Sequence, residues 1–113
     1  MRNWSRSIYT KKSVIWSYHA EGLCHFRVDV TNPEAYARYA AAATKAIADH
    51  GGRALARGGR SEALEGKARA RNVVLEFESY DAARRYFHSE QYKAARARRE
   101  GAADMEMVLV EGV

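Results

Sequence analysis

A single cysteine, Cys24, is all this chain holds, which excludes an internal disulfide and suits a reducing, cytoplasmic setting. No apolar run approaches the roughly 20 residues that a helix needs to cross a bilayer, so no membrane-spanning helix is expected. Metal ligands are scarce as well. His19, His25, His50 and His88 form no H-x-x-x-H pair, and one cysteine makes no thiolate cluster. Gly59-Arg60-Ser61-Glu62-Ala63 fails the G-x-S-x-G elbow at its last position, which leaves a hydrolase nucleophile unsupported. Neither glycine pair matches a dinucleotide fingerprint or a P-loop, and the aromatic pattern of RNA-binding sheets is missing. No cofactor and no metal are therefore expected.

The formal charge of +5 suggests nucleic acid until it is located. Residues 1–20 carry Arg2, Arg6, Lys11 and Lys12 and no acid, which leaves 15 basic and 14 acidic residues in the rest. A body so close to neutral lacks the footprint that phosphate-backbone binding requires, and nucleic acid is not an expected partner. The basic segment also holds both tryptophans, Trp4 and Trp16. It has no apolar stretch of secretory type, although its composition resembles an organellar transit peptide. A basic, aromatic tail is also a possible stacking surface for nucleic acid. The plainer reading is an accessory extension over residues 1–21, followed by one domain over residues 22–113. At 113 residues, with 47% hydrophobic and 29% charged, the chain can bury a core without metals or disulfides.

From Gly22 the order reads strand, helix, strand, strand, helix, strand. Cys24, Phe26, Val28 and Val30 alternate with Leu23, His25, Arg27 and Asp29, as a strand with one buried face requires. Asn32 can cap a helix whose first position suits Pro33, and Tyr36, Tyr39, Ala40, Ala43 and Ile47 recur on one stripe of it. Gly51-Gly52 supplies a left-handed stop. Arg53–Arg57 is a short strand ending at Gly58-Gly59, which Glu62–Glu65 extends or follows before a loop through Lys67–Ala70. Asn72–Glu78 sets Val73, Leu75 and Phe77 against Val74, Glu76 and Glu78. Ser79 caps a second helix that turns Ala83, Tyr86 and Phe87 inward, breaks near His88-Ser89, and resumes with Tyr92 and Ala95 inward. Met105, Met107 and Leu109 alternate with Glu106, Val108 and Val110 in the last strand.

This order predicts an α+β domain of ferredoxin-like βαββαβ type, with a four-stranded antiparallel sheet and two helices on one face. The other face keeps apolar residues among its charges, too many to leave bare. A second sheet packed against it, most simply in a two-fold homodimer, is expected.

The segments Val28-Asp29-Val30-Thr31-Asn32-Pro33-Glu34-Ala35-Tyr36, Leu55-Ala56-Arg57-Gly58-Gly59, Leu64-Glu65-Gly66, Val73-Val74-Leu75-Glu76-Phe77 and Val110-Glu111-Gly112 carry a resemblance. In this order they resemble the bacterial family called domain of unknown function 1330, of the dimeric α+β barrel (antibiotic-biosynthesis-monooxygenase-like) superfamily. The resemblance covers about Val28 to Val113. It implies a ferredoxin-like protomer, a dimer with facing sheets, and no settled activity. Leu23-Cys24-His25-Phe26 departs from the family pattern, and the leader is longer than usual. Residues 1 to about 26 are accordingly expected to have another origin, such as an extended reading frame.

Candidate chemistry is sparse. Arg57 beside Gly58 and Gly59 is a candidate holder of a carboxylate or phosphate, through its guanidinium and neighbouring backbone N–H groups. The plainer reading is a glycine turn with Arg57 paired to Glu76 or another acid. Glu76, mid-strand among apolar residues, is a candidate general base, and His88 a candidate acid or base. Tyr86 and Tyr92 are candidate pocket-rim residues, although aromatic residues at helical spacing commonly belong to the core. Lys93, Arg96, Arg98 and Arg99 read as a solvated basic face. The functional expectation is a small organic ligand in a cleft between sheet and helices, with or without cofactor-independent catalysis of monooxygenase or isomerase type. The alternative is a non-catalytic binding or interaction module. Convergence of Arg57 with Glu76 or His88 would favour the enzyme.

Overall fold

The computed structural model describes residues 20–113, so the leader with Trp4, Trp16 and His19 lies outside the described residues. Seven elements follow: β1 (Gly22–Val30), α1 (Pro33–Asp49), β2 (Arg53–Arg57), β3 (Arg71–Phe77), α2 (Tyr80–His88), α3 (Glu90–Ala97) and β4 (Ala103–Glu111). The strands form one antiparallel sheet in the order β2-β3-β1-β4, the ferredoxin-like arrangement. Among the described residues no helix is long and apolar enough to cross a membrane.

The alternation in the sequence becomes two distinct faces. Cys24 pairs with Leu75 and Leu109, and Phe26 with Val73 and Met107, so these side chains share the helix-covered face. There Phe26, Val28, Val73, Leu75 and Phe77 are buried against Tyr36, Tyr39, Ala43, Tyr86 and Tyr92. Their neighbours Leu23, His25, Arg27, Asp29, Asn72, Val74 and Glu76 point to the opposite, open face.

The helices start where oxygen side chains satisfy free N–H groups. Asn32 Oδ1 accepts from Ala35 N at 3.2 Å, and Ser79 Oγ accepts from Ala82 N at 3.0 Å. Ser89 works in both directions: its Oγ accepts from Tyr92 N at 3.0 Å while its hydroxyl donates to the Tyr86 carbonyl at 2.7 Å. One side chain thus closes α2 and opens α3, which produces the break and lets both segments turn tyrosines onto the sheet. Gly51, at φ 77°, ends α1 in the left-handed region.

Two expectations need adjustment. Glu62–Glu65 forms no strand; the chain from Gly58 to Ala70 runs as an exposed loop, because no alternating apolar residues there could pair a ladder with a core, and Leu64 itself is 86% exposed. Strand β2 also carries a bulge: Ala54 pairs with Leu75 and Ala56 with Val74, which leaves Leu55 as the extra residue. The bulge shifts the facing of the strand, so that Arg57, opposite Val73, returns to the helix side.

The far end of the long loop is tied down by charge. Arg69 donates to Asp29 Oδ2 at 2.8 Å and to Glu106 Oε2 at 2.6 Å, and Ala70 N donates to Asp29 Oδ1 at 2.8 Å. The Ala70 amide and the Arg69 guanidinium hold the Asp29 carboxyl below its usual range, and Arg69 does the same to Glu106. Depressed carboxyls contribute stability above their ordinary pKa values and lose it as pH falls through the lower folded values. The urea midpoint is therefore expected to drop as pH falls below 4.5 and then 3.8, the ordinary values of Glu106 and Asp29. Arg69→Gln is expected to flatten that part of the profile, and an unchanged acid limb would contradict the assignment.

Candidate functional site

Between α1 and the β2–β3 half of the sheet lies a cleft of about 210 Å³. Its walls are apolar: Phe26, Val73 and Leu75 from the sheet, with Tyr36, Tyr39, Ala40, Ala43 and Ile47 from α1. The helical stripe and the strand alternation that build the core also build this space. Small residues explain why it stays open. Ala40 and Ala43 line it where bulkier side chains would fill it, and Gly52 lies so close to the Phe77 ring that an added Cβ would fall 2.5 Å from it.

Three arginines reach the cleft, and they are not alike. Arg53 Nε donates to Glu76 Oε1 at 2.8 Å, so its charge is already met. Arg57 and Arg71 form no ion pair among the described residues, and both stand on the helix-facing side of their strands. Arg71 Nε is buried and finds no hydrogen-bond partner among the described residues. The guanidinium of Arg71 lies against Gly58, where an added Cβ would collide with its Nη1. Gly58, at φ 69°, therefore serves both the turn and the approach of Arg71. Nothing lies within 4 Å of the corresponding position at Gly59, which is exposed.

The other sequence candidates separate. Glu76 sits on the open face, where Arg53 meets its carboxylate, and does not line the cleft. His88 is exposed on α2 and borders a second cleft of about 250 Å³, with Cys24, Tyr80, Phe87, Met107 and Leu109. Tyr86, 2% exposed, is the wall between the two clefts and contributes to both. Tyr92 is fully buried and lines neither; its hydroxyl meets that of Tyr39 at 2.8 Å. Arg57 and Gly58 thus come together with Arg71, whereas Glu76, His88 and Tyr92 stay apart from them.

Sequence reasoning passed over Arg71. The signal was present, because Arg71 continues the Val73, Leu75, Phe77 alternation onto the buried side. Arg99 is a second arginine with a buried Nε: its guanidinium stacks 5.0 Å from the Tyr39 ring centre, and its Nε has no partner among the described residues. It lies behind the tyrosines rather than on the cleft wall.

Ionisation is suppressed in this interior. Burial, reinforced by the neighbouring Tyr92, pushes the phenols of Tyr39 and Tyr86 well above the usual range. Burial likewise pushes the Cys24 thiol up to about 11. These groups stay neutral near pH 7, so they offer hydrogen bonds and packing but no base. Among the described residues no three His, Cys, Asp or Glu side chains gather as a metal site.

Residues 21–113 match the family described as Domain of unknown function (DUF1330). The match begins at Glu21, which corrects the expected boundary near Arg27: Leu23-Cys24-His25-Phe26 lies inside the matched segment and forms half of a central strand. A protein of unknown function from Rhodopseudomonas palustris superposes with a TM-score of 0.68 at 18% identity, over 85% of this chain and 85% of that one. Its methylated form gives 0.67 at 18% identity, over 85% and 83%. A conserved protein of unknown function from Bacteroides thetaiotaomicron, described as a possible oxidoreductase, gives 0.51 at 12% identity, over 84% of this chain and 99% of that one. At these identities the likeness is one of fold. No curated protein matches the chain.

Proposed function

The chain belongs to the Domain of unknown function (DUF1330) family, and from that premise we propose that it binds a compact organic molecule in the cleft between α1 and the β2–β3 half of the sheet. The observation that carries this reading is an apolar-walled space of about 210 Å³ edged by an arginine, Arg71, whose Nε finds no partner among the described residues. Drug-sized ligands occupy roughly 300–1,000 Å³, whereas a cavity of ~150 Å³ accepts a benzene ring. The cleft therefore suits one ring or a short branched chain with a polar head.

A cofactor-independent reaction of monooxygenase or isomerase type is the other reading of this fold, with one distant structural relative described as a possible oxidoreductase. Such a reaction needs an acid or base beside the ligand. Glu76 is occupied by Arg53 across the sheet, and His88 borders a different cleft. The cleft holds neutral phenols and guanidinium groups, which serve binding better than proton transfer.

The binding unit in this reading is a two-fold homodimer, with residues 22–113 as the domain and residues 1–21 as an extension. The open sheet face exposes Val108 by 60% and Val110 by 51%, beside Leu23 and Val74. Packing two such faces together removes these side chains from water. A cytoplasmic setting, where Cys24 stays a thiol, completes the proposal.

A melting-temperature screen against small organic acids, alcohols and amides tests the ligand reading. Compounds with one ring or a short branched chain are expected to raise the melting temperature of the wild type but not of Ala40→Phe, which fills the cleft. Equal shifts in both proteins, or no shift with any compound, would count against it.

A further inference from the structure

We propose that the cleft selects a compact monocarboxylate with an apolar body, and that Arg71 is the counter-ion of the carboxylate. The proposal deepens the ligand-binding reading above and rests on it. Its basis is the contrast among the three arginines. An arginine side chain is always charged, and a partly buried one ordinarily meets an acid or a carbonyl. Arg53 meets Glu76. Arg71, held between strands at the edge of an apolar space, meets neither, and its buried Nε stays without a partner among the described residues.

That unmet donor belongs to a group shaped for a particular partner. The guanidinium offers a planar fork that matches the two oxygens of a carboxylate. Gly58 keeps the fork in place by presenting no side chain where Nη1 lies. Arg57, on the neighbouring strand and on the same side of the sheet, adds a second positive charge to the edge of the cleft. Beyond the arginines the walls are mostly apolar, with Phe26, Val73, Leu75, Ala43 and Ile47, and their remaining polar groups, the hydroxyls of Tyr36, Tyr39, Tyr86 and Thr44, bring no charge to meet a second anionic end. A ligand with one anionic end and an apolar remainder satisfies both halves. A phosphate, with more oxygens than the Arg71 fork can meet, does not suit a largely apolar wall.

The test measures affinities by calorimetry for matched pairs that share a body and differ only in charge: phenylacetate with phenylacetamide, and benzoate with benzamide. In the wild type each acid is expected to bind about tenfold or more tightly than its amide, as a charge-assisted fork implies. Arg71→Gln is expected to bring that ratio to about twofold or less. Gly58→Ala, which displaces the guanidinium, is expected to lower the ratio while the charge remains, and it keeps the test open should Arg71→Gln fail to fold. Amides binding as well as acids in the wild type would overturn the monocarboxylate proposal and leave the cleft reading standing. Inorganic phosphate competing as effectively as benzoate would also overturn it. Binding of neither series would overturn both.

Discussion

Replacing Val108 and Val110 together by aspartate is expected to convert the proposed dimer into a monomer, halving the mass seen by light scattering. The two valines stand on the open face of β4, opposite His25 and Leu23 of β1. They are the most exposed apolar side chains of the sheet, at 60% and 51%. Much of the charge on the same face is met within the protomer, where Arg69 joins Asp29 and Glu106 and where Arg27 reaches Glu106. The apolar half therefore carries the main drive to associate. Two-fold symmetry would place four new carboxylates in one interface, each buried without a counter-ion at a cost of several kcal/mol. Aspartate on an exposed strand is tolerated in the protomer itself, so the monomer should keep its β-sheet signal. A variant that stays dimeric, or a wild type that is monomeric at micromolar concentration, would contradict the facing-sheet arrangement.

Tyr86→Ala is expected to cost about 3–5 kcal/mol, the range for removing a large buried aromatic side chain. Against a total of ~5–15 kcal/mol for a domain, that is a large share. The ring sits 5.0 Å from Phe77 and 4.7 Å from Tyr92, and it separates the two clefts. Its loss removes packing from α2 and β3 together and joins the two spaces. The hydroxyl groups give a sharper comparison. Tyr86 makes no side-chain hydrogen bond among the described residues, so Tyr86→Phe should be close to neutral. Tyr92→Phe removes the 2.8 Å partner of the Tyr39 hydroxyl and leaves that buried hydroxyl without it, a loss of about 1–3 kcal/mol. Urea titration of the three variants checks that the loss is largest for Tyr86→Ala, smaller for Tyr92→Phe and smallest for Tyr86→Phe. Equal losses in the two phenylalanine variants would contradict it.

Most of the fold was legible because period-2 alternation and helix caps are local. Asn32, Ser79 and Ser89 announce three helix starts without reference to anything distant, and the hydrogen bonds confirm each. The bulge at Leu55 was not legible, since nothing in Arg53–Arg57 distinguishes a regular short strand from an irregular one. The site was harder to read for a related reason. Alternation alone placed Glu76 opposite Val73, Leu75 and Phe77, but calling it a cleft residue required knowing which face the helices cover. The same alternation placed Arg71 with the buried set, yet an arginine at a strand start reads as solvent-facing until Gly58 is brought beside it. Tyr92 shows the limit of helical spacing: its partner Tyr39 lies 53 residues away, and only the folded chain brings the two hydroxyls together.

The central claim is that the ligand sits between α1 and the sheet, and amide chemical-shift mapping tests it most directly. Phenylacetate titrated into nitrogen-15-labelled protein is predicted to move the amides of Thr44, Ile47, Ala54 and Val73 most, with the changes saturating together. The largest changes at Val108 and Val110 of the open face, or at Tyr80 and His88 beside the second cleft, would contradict the account; so would a spectrum that millimolar ligand leaves unchanged.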